Sequence, residues 1–297
     1  MSGPFPVLCS VMQRIDDLLR SGTTLSFEFF PPKTEEGQAA FTAAFNDLAE
    51  LQPNFASVTY GALGSTRSQT EALVNGLNAE HDFPTMPHLT CIGHTREELA
   101  ELITSYRDAG VKNILALAGD PPEDGSDAGD FVYADELIAL IREIGDFSVG
   151  VAAFPEKHPR SPSFEEDRRR LAAKLELADF GMTQFFFDVD HYARLVDELA
   201  KLGSDTPLIP GVMPFVSVPG TRRMAAMNGS TIPDALNARM EEVAGDADAT
   251  RALGIDVAVD LSAKLLEQGV PGLHLYTMNR AASVREVTDR LGLRAPA

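Results

Sequence analysis

The feature that most constrains this chain is an alternation. Short apolar runs rich in β-branched and aromatic residues recur at Leu25–Phe30, Ala56–Tyr60, Pro87–Cys91, Asn113–Ala118, Ser148–Ala153, Thr183–Phe187, Leu208–Pro210 and Gly272–Tyr276. Each reads as a strand. Segments with helical spacing fall between them, at Glu36–Leu51, Arg96–Ala109, Ala134–Ile144, Phe164–Ala178, His191–Leu202 and Ala249–Gln268. Thr95, with Glu98 three residues on, has the pattern of a helix N-cap. Eight β/α units in 297 residues predict an α/β chain folded as one (β/α)8 TIM barrel over residues 1–297. The competing fold, an open doubly wound sheet, would use a GxGxxG turn after its first strand, and none is present. Pro214–Asp248 is longer than a minimal crossover and predicts a helix-bearing insertion between the seventh and eighth units.

Charge and cysteine content narrow the function classes. The formal net charge is −19, which argues against nucleic acid as the main partner, because such a surface releases no counterions from a polyanion. Cys9 and Cys91 form no CxxC pair or Cys/His cluster, so neither a structural zinc site nor a disulfide framework is expected. No signal-peptide pattern and no apolar run near membrane-spanning length occurs, and a cytoplasmic protein without a membrane partner is expected. Oligomeric state is left open.

In a barrel of this kind chemistry belongs at the C-terminal strand ends, and polar groups collect there. Ser26-Phe27-Glu28-Phe29-Phe30-Pro31-Pro32 places a carboxylate inside an apolar strand, with Glu28 and Phe30 on one face and Phe27 and Phe29 on the other. Burial raises a carboxyl pKa, which suits a general acid near neutrality; a structural Glu paired with a cation is the alternative. Thr59 and Tyr60 end the second strand, and His88 lies on the third. Gly119-Asp120-Pro121 follows the fourth, where Asp120 is either functional or a turn residue. His158 follows the fifth, Gln184 sits in the run TQFFFD, and Tyr276, Asn279 and Arg280 follow the eighth. A buried Gln184 needs hydrogen-bond partners that a ligand could supply.

Eight segments, in order along nearly the whole chain, resemble one family. SFEFFPPKT (26–34), SVTYGALGSTR (57–67), PHLTCIGHT (87–95), ILALAGDPP (114–122), VAAFPEKHP (151–159), TQFFFD (183–188), IPGVMPF (209–215) and LYTMNRA (275–281) look like methylenetetrahydrofolate reductase in its short bacterial form. The resemblance implies reduction of 5,10-methylenetetrahydrofolate to 5-methyltetrahydrofolate in one-carbon metabolism and methionine biosynthesis. It implies Glu28 as the general acid at N10 and Asp120 as the anion beside the pterin. Gln184, Arg280, Tyr276 and Phe215 would be substrate-binding. Thr59, Tyr60, Ala62, His88, Gly119, Ala134, Phe154, His158, Asp167 and Lys174 would be cofactor-binding.

The pattern breaks where the family holds FAD. Ala118 stands where an Arg is usual, Phe154 where a Tyr is usual, and Arg170-Leu171-Ala172-Ala173-Lys174 replaces a segment reading roughly Asn-Leu-Lys-Arg-Lys. Val218 occupies the position of the folate-stacking aromatic, so Phe215 is the substitute candidate. Arginine bonds to a diphosphate are among the strong hydrogen bonds, and losing two weakens binding substantially. The cluster Arg168-Arg169-Arg170 is the nearest source of compensation. The altered cradle points to direct hydride transfer from NADH, with NADPH the other candidate donor and FAD absent. The alternatives are an ordinary FAD-dependent ping-pong enzyme and, more remotely, a non-catalytic folate-binding barrel.

Overall fold

The computed structural model describes residues 12–60, 67–120 and 129–293. Its eight strands are all parallel and close into a barrel in sequence order. They are β1 (Thr24–Phe29), β2 (Phe55–Val58), β3 (Thr85–Thr90), β4 (Asn113–Leu117), β5 (Ser148–Ala153), β6 (Phe180–Phe185), β7 (Leu208–Val212) and β8 (Gly272–Tyr276). Closure comes from β1 against β8, in a register that sets Ser26 opposite His274 and Glu28 opposite Tyr276. The (β/α)8 barrel expected from the alternation is the observed fold.

The helices of the chain are α1 (Ile15–Ser21), α2 (Glu35–Ala49), α3 (Arg67–Glu80), α4 (Arg96–Asp108), α5 (Ala134–Ile144), α6 (Phe164–Leu175), α7 (Val189–Lys201), α8 (Val218–Asn228), α9 (Asp234–Glu242), α10 (Ala247–Glu267) and α11 (Ala281–Leu291). Period-2 alternation sends Phe27 and Phe29 of β1 outward. Phe29 meets Phe41 and Phe45 of α2, with ring centroids 5.7 and 4.8 Å away. The capping box of α4 forms as its sequence requires: Thr95 Oγ1 accepts from the Glu98 N–H, and Glu98 accepts from the Thr95 N–H at 2.9 Å.

Three elements differ from the sequence expectation. The sequence pattern does not mark helix α3, because its polar sequence buries little more than Thr70, Val74 and Leu77. It is tied instead by Asn78, whose side chain accepts from the Thr85 N–H (2.7 Å) and donates to the Thr85 carbonyl (3.0 Å). Strand β6 lies earlier than the Phe-rich run suggests. Its last phenylalanines leave the ladder, Phe186 stacking on Tyr192 of α7 while Asp188 caps that helix. The insertion holds α8 and α9 and precedes α10, the helix that packs on β7, so it lies within the seventh unit. Among the described residues, no helix is long and apolar enough to cross a membrane. Nor do they contain a His/Cys/Asp/Glu group able to hold a metal ion. Cys91 is buried and free; Cys9 lies outside the described residues.

The insertion is locked to the barrel by a close approach. A Cβ on Gly254 of α10 would sit 1.8 Å from the Phe215 carbonyl oxygen and 2.9 Å from its nitrogen. Backbone atoms cannot step aside as a flexible side chain can. Gly254→Ala is therefore expected to destabilise the fold by about 3 kcal/mol or more, read as a lower urea midpoint. Gly76→Ala in α3 meets nothing within 4 Å and is expected to be neutral or stabilising by up to ~1 kcal/mol.

Candidate active site

At the C-terminal end of the barrel a cavity of about 310 Å³ opens among strand ends. Glu28, Thr59, His88, Gln184 and Tyr276 are on its wall, so β1, β3, β6 and β8 and the residue just after β2 each place one predicted residue there. Glu28 is buried, and desolvation pushes its pKa up to about 7, partly opposed by His88. His88 Nε2 lies 3.6 Å from Glu28 Oε2 and has no hydrogen-bond partner among the described residues. Burial pushes the His88 pKa down to about 4.

Beneath Glu28 is a residue the sequence reading passed over. His274 of β8 is fully buried, with Nε2 3.5 Å from Glu28 Oε2 and Nδ1 2.8 Å from Ser26 Oγ. Ser57 Oγ approaches the same ring at 3.5 Å. Burial pushes the His274 pKa to about 3. Both imidazoles are thus neutral near pH 7, and Glu28 faces no full cation that would force it to ionise. The available signal was His274 two residues before Tyr276, on the same strand face.

The end of β8 is held against β1 by side chains. Thr277 Oγ1 donates to the Glu28 carbonyl at 2.6 Å. Asn279 accepts from the Phe30 N–H at 2.9 Å and donates to the Phe30 carbonyl at 2.8 Å. Met278 and Asn279 adopt φ of 50° and 55°, a conformation Asn tolerates and Met disfavours. Tyr276 donates its hydroxyl to the Thr183 carbonyl at 2.9 Å. Gln184 Oε1 accepts from Asn228 of α8 at 3.1 Å, so the inserted helix closes one side of the cavity.

Other predicted residues fall elsewhere. Phe215 is buried beneath α8, its ring 6.4 Å from that of Phe187, and Val218 is buried with it; neither is on the described cavity wall. The wall instead carries Met182, Met213, Met224, Met227 and Met278, flexible polarisable side chains suited to an apolar ring. The sequence reading missed them because methionine at these spacings looks like ordinary core. Asp120 stands on the rim beyond Gly119, its side chain 95% exposed and 3.7 Å from Arg160. Arg280 is exposed at the start of α11. Tyr60 reaches His94 Nε2 at 3.2 Å. Ala62 lies outside the described residues.

The remaining predicted cofactor residues cluster beside β5. Ala134 begins α5 and is buried. Phe154 meets the His158 ring edge-on at 4.5 Å. Asp167 accepts from the His158 N–H at 3.1 Å. Lys174 Nζ donates to the Ala152 carbonyl at 2.7 Å, and burial lowers its pKa to about 8 despite Asp167 and Asp135. Of the arginine cluster, one member is taken up by the fold. Arg168 is buried, donating to the carbonyls of Phe154, Pro155 and Glu156 and to Asp167 and Glu198. Arg169 and Arg170 both pair with Glu166. Arg169 and Arg170 face solvent from α6, and Ala118 offers no charge at the end of β4.

Known proteins resemble this chain over nearly its whole length. The profile of the family described as Methylenetetrahydrofolate reductase matches residues 12–292. The 5,10-methylenetetrahydrofolate reductase of Pectobacterium carotovorum subsp. carotovorum is 34% identical over 277 residues, covering 93% of this chain and 92% of that protein. That of Salmonella typhimurium is 36% identical over 272 residues, 91% of each. A Probable methylenetetrahydrofolate reductase (NADH) of Oryza sativa subsp. japonica is 34% identical over 95% of this chain, which spans 50% of that protein. The fold is shared with a Clostridium thermocellum protein described as binding two copies of 5-methyl-5,6,7,8-tetrahydrofolic acid, at a TM-score of 0.65 and 14% identity, covering 94% of this chain and 99% of that one. With a matching profile over nearly its whole length and a buried carboxyl at the mouth of a closed barrel, the chain belongs to the methylenetetrahydrofolate reductase family, oxidoreductases that reduce 5,10-methylenetetrahydrofolate.

Proposed function

We propose that this chain reduces 5,10-methylenetetrahydrofolate with a nicotinamide dinucleotide bound beside it, hydride passing directly between the two. The observation that carries the reading is Glu28, a buried carboxyl with its pKa raised to about 7 on the wall of an apolar cavity. A carboxyl still protonated near neutrality donates its proton to N10 of the folate. The N10–CH2 bond then breaks and leaves an iminium at N5. Hydride from C4 of the reduced nicotinamide adds to the iminium carbon, giving the 5-methyl product and the oxidised dinucleotide. Glu28 is left as a carboxylate and regains its proton from solvent between turnovers.

Two neutral histidines keep this acid poised. A cation beside Glu28 would favour the carboxylate and remove the donor; His88 and His274 supply polar contact without charge. Asp120, at the rim, opposes the cationic charge that develops as the ring opens. Gln184 and Tyr276 orient the ring system, and the cavity methionines cover its faces. The burial of Arg168 in the fold and the alanine at 118 support a reaction without flavin. The NADH named for the Oryza sativa and Arabidopsis thaliana relatives supports NADH as donor.

The reading makes an optical and a kinetic prediction. Purified protein is expected to be colourless above 350 nm and to turn over with NADH and no added flavin. Initial-rate plots are expected to intersect, since both substrates must be bound together. A stoichiometric yellow cofactor with parallel-line kinetics would return the chain to the FAD-dependent ping-pong mechanism.

A further inference from the structure

In a chain of net charge −19, the loop after β5 is locally basic, with Lys157, His158 and Arg160 within four residues. This loop is held firmly. Arg168 donates to three carbonyls at its start, and Asp167 receives the His158 N–H. The Arg160 N–H donates to His158 Nδ1 at 3.1 Å, and Lys157 Nζ donates to the carbonyls of His158 and Ser161. Because Nδ1 accepts, a neutral His158 carries its proton on Nε2 and remains a donor there.

Arg160 differs from the arginines of α6 and from Arg222 of α8. Arg168 is buried, Arg169 and Arg170 are paired with Glu166, and Arg222 is paired with Glu241. The Arg160 side chain is 48% exposed, and its carboxylate contact, to Asp120, is a long 3.7 Å. Its Nη2 reaches the Gly119 carbonyl at 3.2 Å, so it bridges from the β5 loop to the end of β4. Leu117 of β4 and Ala152 of β5 are both on the cavity wall. A nicotinamide seated between those strands would carry its diphosphate outward over Gly119, into the range of this guanidinium.

We propose that Arg160 binds the diphosphate of the nicotinamide dinucleotide, on a loop pre-shaped by His158, Asp167 and Arg168. The proposal rests on the reading that a nicotinamide substrate enters this cavity. A planar guanidinium can offer two parallel N–H donors to phosphate oxygens, whereas an ammonium offers a point charge.

The test uses full-length protein and the variants Arg160→Ala, Arg160→Lys and Arg169→Ala. NADH affinity is measured by titration and by KM, beside the KM for methylenetetrahydrofolate. Arg160→Ala is expected to weaken NADH binding roughly 10- to 100-fold, with the folate KM changed less than about twofold and kcat far less affected than KM. Arg160→Lys should fall between wild type and Arg160→Ala. Arg169→Ala, which removes the same charge from a helix face paired with Glu166, should match wild type. Inorganic pyrophosphate should compete with NADH in the wild type and lose potency against Arg160→Ala. Unchanged NADH affinity in Arg160→Ala, or an effect confined to the folate KM, would overturn the assignment. So would loss of a copurifying flavin with NADH affinity intact. Failure of direct hydride transfer would show separately, in the spectrum and in the initial-rate pattern.

Discussion

Glu28→Gln is expected to lose folate-reducing turnover by on the order of 10²-fold or more while keeping the fold and folate binding. The amide fills the same space beside His88 and His274 but has no acidic proton for N10. The wild-type profile carries the same logic. With a pKa near 7 in the free protein, kcat/KM should fall as pH rises through that value, because the donor form is lost. The variant should be slow throughout and lack this limb.

Stability gives a second readout of the same substitution. The Glu28 pKa is raised above its unfolded value, so between about 4.5 and 7 the folded state holds a proton that the unfolded state has released. Wild-type stability should therefore decline with rising pH across that window and then level off. Glu28→Gln has no such titration and should gain relative to wild type above pH 7, by on the order of a few kcal/mol. Urea denaturation at pH 5 and pH 8 checks the sign. Near-wild-type turnover in Glu28→Gln would remove this residue from the mechanism.

Asp120→Asn is expected to lower turnover by roughly 10- to 10³-fold, with a smaller effect on nicotinamide affinity. Asp120 opens to solvent in the free protein, where water weakens its field. Bound rings that exclude water would strengthen its attraction for a developing iminium, so the benefit belongs to the transition state. Single-turnover rates under saturating substrates measure this directly. If activity per folded molecule is unchanged and only the unfolding midpoint moves, Asp120 is the turn residue that its place before Pro121 would explain.

The barrel was legible in the sequence because strand and helix periods are local properties. Runs such as Ser148–Ala153 and Gly272–Tyr276, and the helix Ala134–Ile144, carry their period in every residue and are found with those same bounds. Helix α3 was not legible, since Asn78 secures it by side-chain bonds that leave no apolar stripe. The Phe185–Phe187 run misled for the opposite reason: it is apolar throughout, and neighbouring helices decided where the ladder stopped.

The chemistry divides along the same line. That Glu28 shares a strand face with Ser26, amid phenylalanines, follows from the two-residue period and needs no coordinates. That His274 lies under Glu28 depends on closure of the barrel, which sets β8 beside β1 across some 248 positions of sequence. The fate of the arginines is also tertiary. Arg168, Arg169 and Arg170 are adjacent in sequence, but a helix turns successive residues by about 100°, so one is buried against the β5 loop while two face solvent. Arg160, outside that cluster, is carried by a loop to the end of a neighbouring strand. Sequence alone determined which groups this protein has and which face of each element they occupy. Only the closed barrel decided which of them meet, because contacts between distant segments come from packing that no local period encodes.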